Sequence, residues 1–292
     1  MTFSKRHLGF IQIFLSGICF GFLGFYGKMA YKQKITPGEL LALRYFISAL
    51  ITGFLILSTK PKSLIKLSLK EILASLLLGI LGYALFSSLF FLALTGLSAS
   101  LTVLLLYTYP VLVTLFSKFF FNELIGKKGI LALILVSIGL IGLVWGEWSV
   151  SDPKFLFYGF GSAFFYALYI LLSRKHLSHI EALPSSFYVQ LGAGIILFVI
   201  NFRKNLSRPF EIISQHPFMI ISMSILCSLM AMTLFLAGLQ KIKSQEASIL
   251  SMTEPISGVI IAVILLGEKV QTVQILGGIL ILIGILLTSL KT

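Results

Sequence analysis

Ten apolar runs of about 20 residues follow one another along the chain, with only short connections between them. A helix of about 20 residues crosses roughly 30 Å of hydrocarbon, where backbone polar groups must be satisfied within a helix or a closed barrel. With 58% hydrophobic and 11% charged residues, the chain lies outside the range of soluble domains. The sequence therefore predicts an all-α polytopic membrane protein with ten helices at residues 8–29, 38–58, 71–94, 98–121, 129–146, 155–173, 184–202, 216–238, 246–266 and 271–290.

The basic residues lie mostly in short clusters between the apolar runs, and the formal net charge is +13. Such clusters are typical of helix ends at an anionic membrane surface, so we do not expect nucleic-acid binding. More Lys and Arg residues fall on the side that carries both termini than on the other side. The distribution predicts a multi-pass protein of the cytoplasmic (inner) membrane with both termini in the cytoplasm.

The second half of the chain repeats the first. Residues 89–143 and 234–288 align without a gap, and the pairs that keep register are Pro110 with Pro255, Thr108 with Thr253, Glu123 with Glu268, and Gly139 with Gly284. Because five spans per half is an odd number, the second copy must enter the membrane from the opposite side. We expect two inverted five-helix repeats, residues 1–147 and 148–292. Transporters are often built this way, with the substrate site near the midplane and alternating access between the halves.

The segments at 37–50, 93–143 and 244–287 carry a family resemblance, which includes the Glu-Pro and Gly-Glu steps of "SMTEPISGVIIAVILLGEKV". Over essentially its full length the chain resembles the drug/metabolite transporter superfamily, EamA type. The resemblance implies a ten-helix permease for a metabolite or an amino acid, often an exporter. The sequence departs from the pattern at Tyr109, where the second half has Glu254, and at Asn122, where it has Gly267. Span 7 also has no arginine that matches Arg44.

Glu254 and Pro255 stand side by side about eight residues into a predicted span. An acid at that depth is costly and usually faces a cavity or another helix, and proline frees a carbonyl in the preceding turn. The pair predicts a hydrated notch and a candidate proton site, with Pro255 and its counterpart Pro110 as helix breaks that could serve gating. The alternative is a packing pair whose acid meets a lysine near the cytoplasmic side.

Arg44, Glu123 and Glu268 are three further charged residues with candidate roles. Arg44 is seven residues into span 2, where it could anchor to lipid phosphate by snorkelling or pair internally, with Glu39 or with a substrate carboxylate. Glu123 and Glu268 each end an apolar run just before the next span, a position that favours a structural role at a turn through the helix dipole.

Aromatic and small hydroxyl side chains cluster in the spans expected to line the centre. The predicted substrate-binding residues are Tyr83, Ser87, Tyr107, Tyr109, Ser162, Tyr166, Tyr169, Ser228, Met252 and Glu254. Aromatic faces with a few hydroxyls suit an amphipathic solute or an organic cation. Small residues also serve close helix packing, as expected for Gly17, Gly21 and Gly24 on one face of span 1.

These observations favour a secondary transporter for a small metabolite, an amino acid or a related amphipathic or cationic solute, and not an enzyme. One alternative is a flippase for a lipid-linked sugar. A second is an intramembrane lipid-modifying enzyme, which the positions of the four histidines in loops or at span ends argue against. The expected partners are the solute, membrane lipids and protons, for a monomer or a homodimer. We expect no cofactor, catalytic residue or metal site, since no ligand set or P-loop is present.

Overall fold

The computed structural model describes residues 4–62, 66–146 and 148–289. Within these ranges the protein is almost entirely helical, and nine helices are long and apolar enough to cross a membrane. The fifth apolar run forms a helix of 17 residues, Lys127–Leu143, which packs along the 18-residue helix Thr272–Ser289. The all-α polytopic fold is confirmed, and the count of ten membrane-crossing helices stays a prediction.

The long helices are α1 (Lys5–Lys32), α2 (Pro37–Thr59), α3 (Leu69–Leu94), α4 (Ala99–Phe121), α5 (Lys127–Leu143), α6 (Lys154–Leu177), α7 (Ala182–Phe202), α8 (Pro217–Leu239), α9 (Ser244–Leu266) and α10 (Thr272–Ser289). A short helix, Arg208–Gln215, lies between α7 and α8. The predicted boundary of the first half at 147 and the predicted end of the last span at 290 lie outside the described residues.

Capping boxes that can be read in the sequence start α2 and α3. The Thr36 hydroxyl accepts from the N–H of Glu39 at 3.3 Å, while the Glu39 carboxylate accepts from the N–H of Thr36 at 2.8 Å. Ser68 and Glu71 make the same reciprocal pair at the start of α3. Each box satisfies N–H groups that the first helical turn leaves without an intrahelical partner.

Helices α4 and α9 are interrupted at the same place in the repeat. Ala99–Leu106 is followed by Tyr109–Phe121, and Ser244–Leu250 is followed by Thr253–Leu266. Pro110 and Pro255 lie in the first turn of the second segments, where a missing N–H removes no intrahelical hydrogen bond. The sequence predicts these breaks at the prolines. In the structure the breaks lie at residues 107–108 and 251–252, so the second segments begin one and two residues before Pro110 and Pro255.

Two more pairs of matched residues shape α4 and α9. The hydroxyls of Thr108 and Thr253 each donate to the carbonyl three residues earlier, at 2.7 and 2.8 Å, which satisfies an acceptor at the break. Asn122 and Gly267 end the two helices in the left-handed region, with φ of 51° and 69°. Asn and Gly are the residues that tolerate this left-handed cap. The two halves therefore end α4 and α9 with the same backbone conformation, although the residues differ.

Packing partners are exchanged between the two halves of the chain. α1 contacts α8 and α9 of the second half, while α6 contacts α3 and α4 of the first. α2 packs on α7, and α5 packs on α10. Each helix therefore has the same neighbours as its counterpart, taken from the opposite half, as expected for two halves related by a pseudo-two-fold axis.

Contacts at the helix ends show the directions of α1, α4, α6 and α9. Arg174 near the end of α6 binds Glu123, which follows α4, and Ser244 at the start of α9. Arg6 at the start of α1 binds Glu246, also at the start of α9. α1 therefore starts where α6 ends, and α9 starts where α4 ends, which supports the predicted inverted repeat. We call this end of the bundle the Glu123 end, and the opposite one, where α1 and α9 finish, the Lys28 end.

The predicted glycine face of α1 makes close contact over only part of its length. A Cβ atom on Gly17 would lie 2.9 Å from the Cβ of Thr253, and one on Gly21 would lie 2.6 Å from the Cβ of Ser257. A Cβ on Gly24 would meet no atom of the described residues within 4 Å. α1 and α9 thus touch near their middles, and Gly24 faces open space on the way to the Lys28 end.

Two π-helical segments interrupt α3 and α8, at Leu78–Ala84 and Ile225–Met230. They occupy matching places in the two halves, and π-helical turns inside α-helices are often found at functional sites. The hydroxyl of Ser87 donates to the backbone carbonyl of Tyr83, within the first segment. A side chain therefore supplies a hydrogen bond next to the irregular turn.

Candidate functional site

A cavity of about 550 Å³ runs from the Lys28 end to the middle of the protein. Its walls come mainly from α1, α2, α3, α4 and α9, with Tyr166 of α6 and Met223 of α8. Glu254 is the lining residue of α9 farthest from the Lys28 end, and Lys28 and Glu268 line the opposite part. Among the described residues, those of the Glu123 end do not line it. The cavity is therefore one-sided.

Several residues that the sequence singled out line this cavity together. They are Arg44, Tyr83, Ser87, Tyr107, Tyr166, Glu254 and Pro255. They come from α2, α3, α4, α6 and α9, so residues far apart in the chain meet at one site. Their role as substrate contacts stays a prediction, because their placement beside the cavity shows proximity and not binding.

Five other predicted contacts are buried away from the cavity: Tyr109, Ser162, Tyr169, Ser228 and Met252. Pro110, which the sequence predicts as a helix break, is also buried and does not line the cavity. The hydroxyl of Ser162 donates to the carbonyl of Gly159 at 2.6 Å, and the hydroxyl of Tyr109 lies 3.4 Å from the carbonyl of Ser248. The five predicted contacts do not line the cavity in this conformation, and their role as substrate contacts stays a prediction. Helical periodicity predicts which residues share one face of a helix. It does not show how far along that face the cavity extends.

Glu254 is half-buried and faces the cavity. It shares the cavity wall with Arg44 and with Tyr107. Among the ion pairs between described residues, none joins Glu254 to a lysine, the partner in the packing alternative. The position at a cavity wall is the one expected for an intramembrane acid.

Arg44 is 3% exposed, which is at odds with an anchor that snorkels to lipid phosphate. Its guanidinium lies over the ring of Tyr45, 4.3 Å from the centroid, and an Nη atom donates to the Tyr45 hydroxyl. Glu39, the partner considered from the sequence, binds Arg208 instead, with 3.1 Å between Nε and Oε1. Among the described residues, the buried Nε of Arg44 has no hydrogen-bond partner.

Aromatic rings form the wall between α2, α3, α4 and α6. The Tyr83 ring packs edge-on against Tyr45 at 5.6 Å and against Tyr169 at 4.6 Å between centroids. Tyr166 packs against Phe86 and Tyr109, with centroids 4.7 and 4.6 Å apart. Such rings give an apolar surface with a few hydroxyls, which suits an amphipathic solute.

The sequence prediction missed several lining residues, among them Phe20, Tyr45 and Phe86. Tyr45 directly follows Arg44, and Phe86 is one turn from Tyr83, so both were adjacent to residues already singled out. Phenylalanine is frequent throughout this chain, and an apolar ring gives no signal that separates a cavity wall from a lipid-facing surface. Only the packing of α1, α2 and α3 distinguishes them.

The Glu123 end is closed by a cluster of four residues: Glu123, Arg174, Ser244 and Gln245. Two nitrogens of Arg174 donate to the two carboxylate oxygens of Glu123, each at 2.9 Å. Gln245 donates to the backbone carbonyl of Glu123 at 3.3 Å, and Arg174 reaches the Ser244 hydroxyl at 3.4 Å. A bidentate pair of this kind is strong and directional. Glu123 therefore joins three helices, beyond the turn role that its position suggested.

The Lys28 end has a looser arrangement. Glu268 contacts the ammonium group of Lys28, and the two side chains are 42% and 53% exposed, compared with 18% and 21% for Glu123 and Arg174. Both residues line the outer part of the cavity. An exposed pair of this kind contributes little, because water screens the charges.

Comparisons with known proteins agree with this architecture. The EamA-like transporter family model matches residues 7–145 and, a second time, residues 153–290. Similar proteins include the uncharacterized transporter YxxF of Bacillus subtilis, 24% identical over 98% of this chain and 91% of that protein. Another is the uncharacterized inner membrane transporter YicL of Salmonella typhimurium, 24% identical over 97% of this chain and 96% of that protein.

A solved structure titled "Crystal structure of protein" superposes with a TM-score of 0.78 over 97% of each chain, at 16% identity. At that identity the likeness shows a shared fold alone. The family matches, in contrast, span nearly all of both halves. The chain is a multi-pass membrane transporter, and it belongs to the EamA-like transporter family of the drug/metabolite transporter superfamily.

Proposed function

We propose that this protein is a secondary transporter that moves a small metabolite, an amino acid or a related amphipathic or cationic solute, across the cytoplasmic membrane. The observation that carries the proposal is the one-sided cavity, which ends at two charged side chains in the middle of the bundle. Arg44 and Glu254 line it, and the Glu123 cluster closes the opposite end. A site open to one side and sealed from the other is what alternating access requires.

The exchange of packing partners between the halves supports this mechanism. If the two halves of the chain, residues 1–147 and 148–292, exchange conformations, the Glu123 cluster opens while the cavity closes around Lys28 and Glu268. Tyr109 and Met252, buried in this conformation, lie between Glu254 and the Glu123 end along α4 and α9. They would then face the second opening, which keeps them as candidate solute contacts.

The proposed orientation places both termini in the cytoplasm, because more basic residues fall on that side. The Glu123 end, where α1 starts, is then cytoplasmic, and the Lys28 end faces outward. We propose export as the direction, in line with the resemblance. The conformation described here is then the one that has released its solute to the outside.

Glu254 is the proposed proton site. The charged and hydroxyl-bearing residues that line the inner part of the cavity with it are Arg44 and Tyr45 of α2, Tyr83 and Ser87 of α3, Tyr107 of α4 and Tyr166 of α6. Only Arg44 among them carries a fixed positive charge. An acid that shares a cavity with one cation and several neutral hydroxyls can hold or release a proton as the cavity changes its exposure to water.

The test begins with a thermal-shift screen of amino acids, nucleosides and organic cations on the purified protein. Solutes that stabilise it are then assayed for counterflow and for uptake into proteoliposomes at two pH values. We expect saturable counterflow, accelerated by a proton gradient. Glu254→Gln should retain counterflow and lose the response to the gradient, with Glu211→Gln, on the exposed short helix, as the matched control. Absence of counterflow for every stabilising solute would contradict the transporter proposal.

A flippase for a lipid-linked sugar is the competing function, and the same vesicles can test it. If a labelled polyprenyl-linked sugar crossed the bilayer faster with the protein than without it, while no small solute moved, the flippase would replace the transporter. The charged pair in the cavity supports the small solute, because lipid chains gain nothing from buried ionic groups.

A further inference from the structure

A second, smaller cleft lies at the Glu123 end, apart from the central cavity. Its walls come from the start of α1, the turn before α5, the start of α9 and the end of α10. Its volume of about 70 Å³ is several times what one water molecule requires. No described residue lines both this cleft and the central cavity. The cleft is therefore a separate concave site with room for a small polar group.

This cleft is positively charged, and we call it the basic cleft. Arg6, Lys128 and Lys243 line it, and Glu246 is the one acid among its described lining residues. One Glu246 oxygen accepts from Arg6 at 2.7 Å, and the other accepts from the backbone N–H of Lys243 at 3.0 Å. Three cations and one carboxylate leave the described side chains of the cleft with a net charge of +2. Its charge therefore suits an anionic group.

Apolar surface continues from the basic cleft along α5 and α10, which pack side by side. Leu124 lines the cleft and is exposed, and Leu286 is exposed one residue before the lining residue Leu287. Ile130 and Ile134 extend this exposed surface along α5. Basic pockets between membrane helices bind the headgroups of anionic lipids. A basic cleft beside an apolar helix face thus matches both parts of a phospholipid, the charged headgroup and the acyl chains.

The repeat provides an internal comparison for the two lysines. In the alignment of 89–143 with 234–288, Lys128 corresponds to Val273 and Lys243 corresponds to Ser98. Val273 is at the start of α10 and Ser98 is at the start of α4, so both lie at the Lys28 end. The same helix starts form there without a positive charge at either position. The fold therefore does not require the two lysines, which favours a role in binding.

We propose that the basic cleft binds the headgroup of an anionic phospholipid, whose acyl chains lie along the exposed face of α5 and α10. The ammonium groups of Lys128 and Lys243 bind the phosphate, and each contributes about fivefold to the affinity. In the orientation proposed above, the cleft lies at the cytoplasmic leaflet, which carries the anionic lipids. The site does not depend on which solute the central cavity accepts.

The test compares two lipids with identical acyl chains, dioleoylphosphatidylglycerol and dioleoylphosphatidylcholine. Their binding to the purified full-length protein in detergent is measured by native mass spectrometry at one pH and ionic strength. We expect the first molecule of the anionic lipid to bind roughly 10- to 25-fold more tightly than the first molecule of the zwitterionic lipid. Glycerophosphoglycerol, the same anionic headgroup without acyl chains, should bind at least tenfold more weakly than the anionic lipid, because it buries no apolar surface.

Two double variants locate the site. Lys128→Gln with Lys243→Gln should reduce the preference for the anionic lipid to about twofold or less and leave phosphatidylcholine binding unchanged. Both lysines are exposed, so the melting temperature without added lipid should stay within about 2 °C of the parent protein. The matched control is Lys32→Gln with Lys204→Gln, which removes two exposed lysines from the Lys28 end and should leave the preference within about twofold of the parent value.

Three results would overturn the inference. The first is equal binding of the two lipids, which would show a surface that accepts any phospholipid. The second is a preference that survives Lys128→Gln with Lys243→Gln, or one that the control removes to the same extent, since the protein's overall charge would then be responsible. The third is binding of glycerophosphoglycerol as tight as that of the anionic lipid, which would make the cleft a site for a free anion.

Discussion

Glu123 and Glu268 hold the same position in the two halves of the chain, yet they make different contacts. The Glu123 carboxylate accepts two hydrogen bonds of 2.9 Å from the Arg174 guanidinium. The guanidinium also lies 4.8 Å from the Phe121 ring centroid. Glu268 contacts Lys28 in an exposed pair beside the cavity. The difference follows from burial, since a desolvated bidentate pair holds its geometry, whereas water screens an exposed one. Equivalent positions therefore give one closed end and one open end.

The lysine at one end and the arginine at the other add to this asymmetry. Arg174 presents a planar fork that fits a carboxylate, whereas Lys28 is a compact charge on a flexible stem. The alignment of 89–143 with 234–288 does not predict this difference, because it pairs the two acids and does not include their partners. Arg174 lies in α6 and Lys28 in α1, outside the aligned segments. A closed conformation at the Lys28 end would thus be held less firmly than the present closure at the Glu123 end.

The largest expected effect is on thermal stability and concerns the contact between α1 and α9, which lies between the Glu123 end and the Lys28 end. Gly21→Leu places a side chain where a Cβ alone would lie 2.6 Å from Ser257 and 2.9 Å from the Gly258 nitrogen. Overpacking of this kind costs about 1–3 kcal/mol or more, so we expect the melting temperature of the purified protein to fall by roughly 5–10 °C.

The matched control is Gly24→Leu, one turn closer to the Lys28 end, where a Cβ meets nothing within 4 Å. We expect its melting temperature to stay within about 2 °C of the parent protein. Equal destabilisation by the two substitutions would show that α1 and α9 do not separate toward the Lys28 end.

Glu123→Gln should open the Glu123 end. The substitution removes the charge that pairs with Arg174 and leaves a half-buried guanidinium with weaker partners. A cysteine placed at Ser248, buried one turn into α9 from the cluster, reports the opening in a protein whose Cys19 and Cys227 are replaced by Ala. We expect maleimide labelling about tenfold faster than in the same protein with Glu123 intact.

Arg174→Lys should give an intermediate rate, because it keeps the charge and loses the bidentate geometry. The double exchange Glu123→Arg with Arg174→Glu should slow the labelling again. If Ser248→Cys reacted at one rate in all four backgrounds, the Glu123 cluster would not be what closes this end.

Arg6→Gln tests the second ion pair at the Glu123 end. Arg6 binds Glu246 at 2.7 Å through one nitrogen, and the two side chains are partly exposed. We expect labelling of the same Ser248 reporter to rise about two- to threefold, less than for Glu123→Gln, since partial exposure weakens the pair. If Arg6→Gln raised the labelling rate more than Glu123→Gln does, the pair of Arg6 with Glu246 would be the main contact that closes this end.

Glu268→Gln is the smallest change and the counterpart of Glu123→Gln. An exposed pair contributes about 0–1 kcal/mol, so labelling at Ser248 should stay within about twofold of the parent rate. A rise as large as that of Glu123→Gln would show that the two acids contribute equally to closure of the Glu123 end, despite their different burial.

Much of the fold can be predicted from the sequence, for physical reasons that particular residues illustrate. The apolar runs give the helices, because hydrocarbon leaves the backbone few alternatives. Thr36 and Ser68 mark helix starts, and Pro110 and Pro255 mark the breaks in α4 and α9. These are local signals, which act within a turn or two of the chain.

The site was less accessible to prediction, because it depends on contacts between distant helices. The cost of burying an acid predicts that Glu254 lies at a cavity, and it lines one. Tyr166 and Tyr169 share a face of α6, but only Tyr166 lines the cavity, while Tyr169 packs against the Tyr83 ring. The partner of Glu123 lies 51 residues away in sequence, and nothing in either local segment specifies that pairing.

The π-helical segment Leu78–Ala84 has a geometric consequence for the solute. A residue inserted into an α-helix turns everything after it by about 100° about the helix axis, since 3.6 residues complete one turn. Deleting one residue there would restore a regular α-helix and swing Phe86 and Ser87 away from the cavity that they line. The π-helical turn therefore sets the rotation of the part of α3 that follows it. This rotation determines which of its side chains face the cavity and a solute inside it.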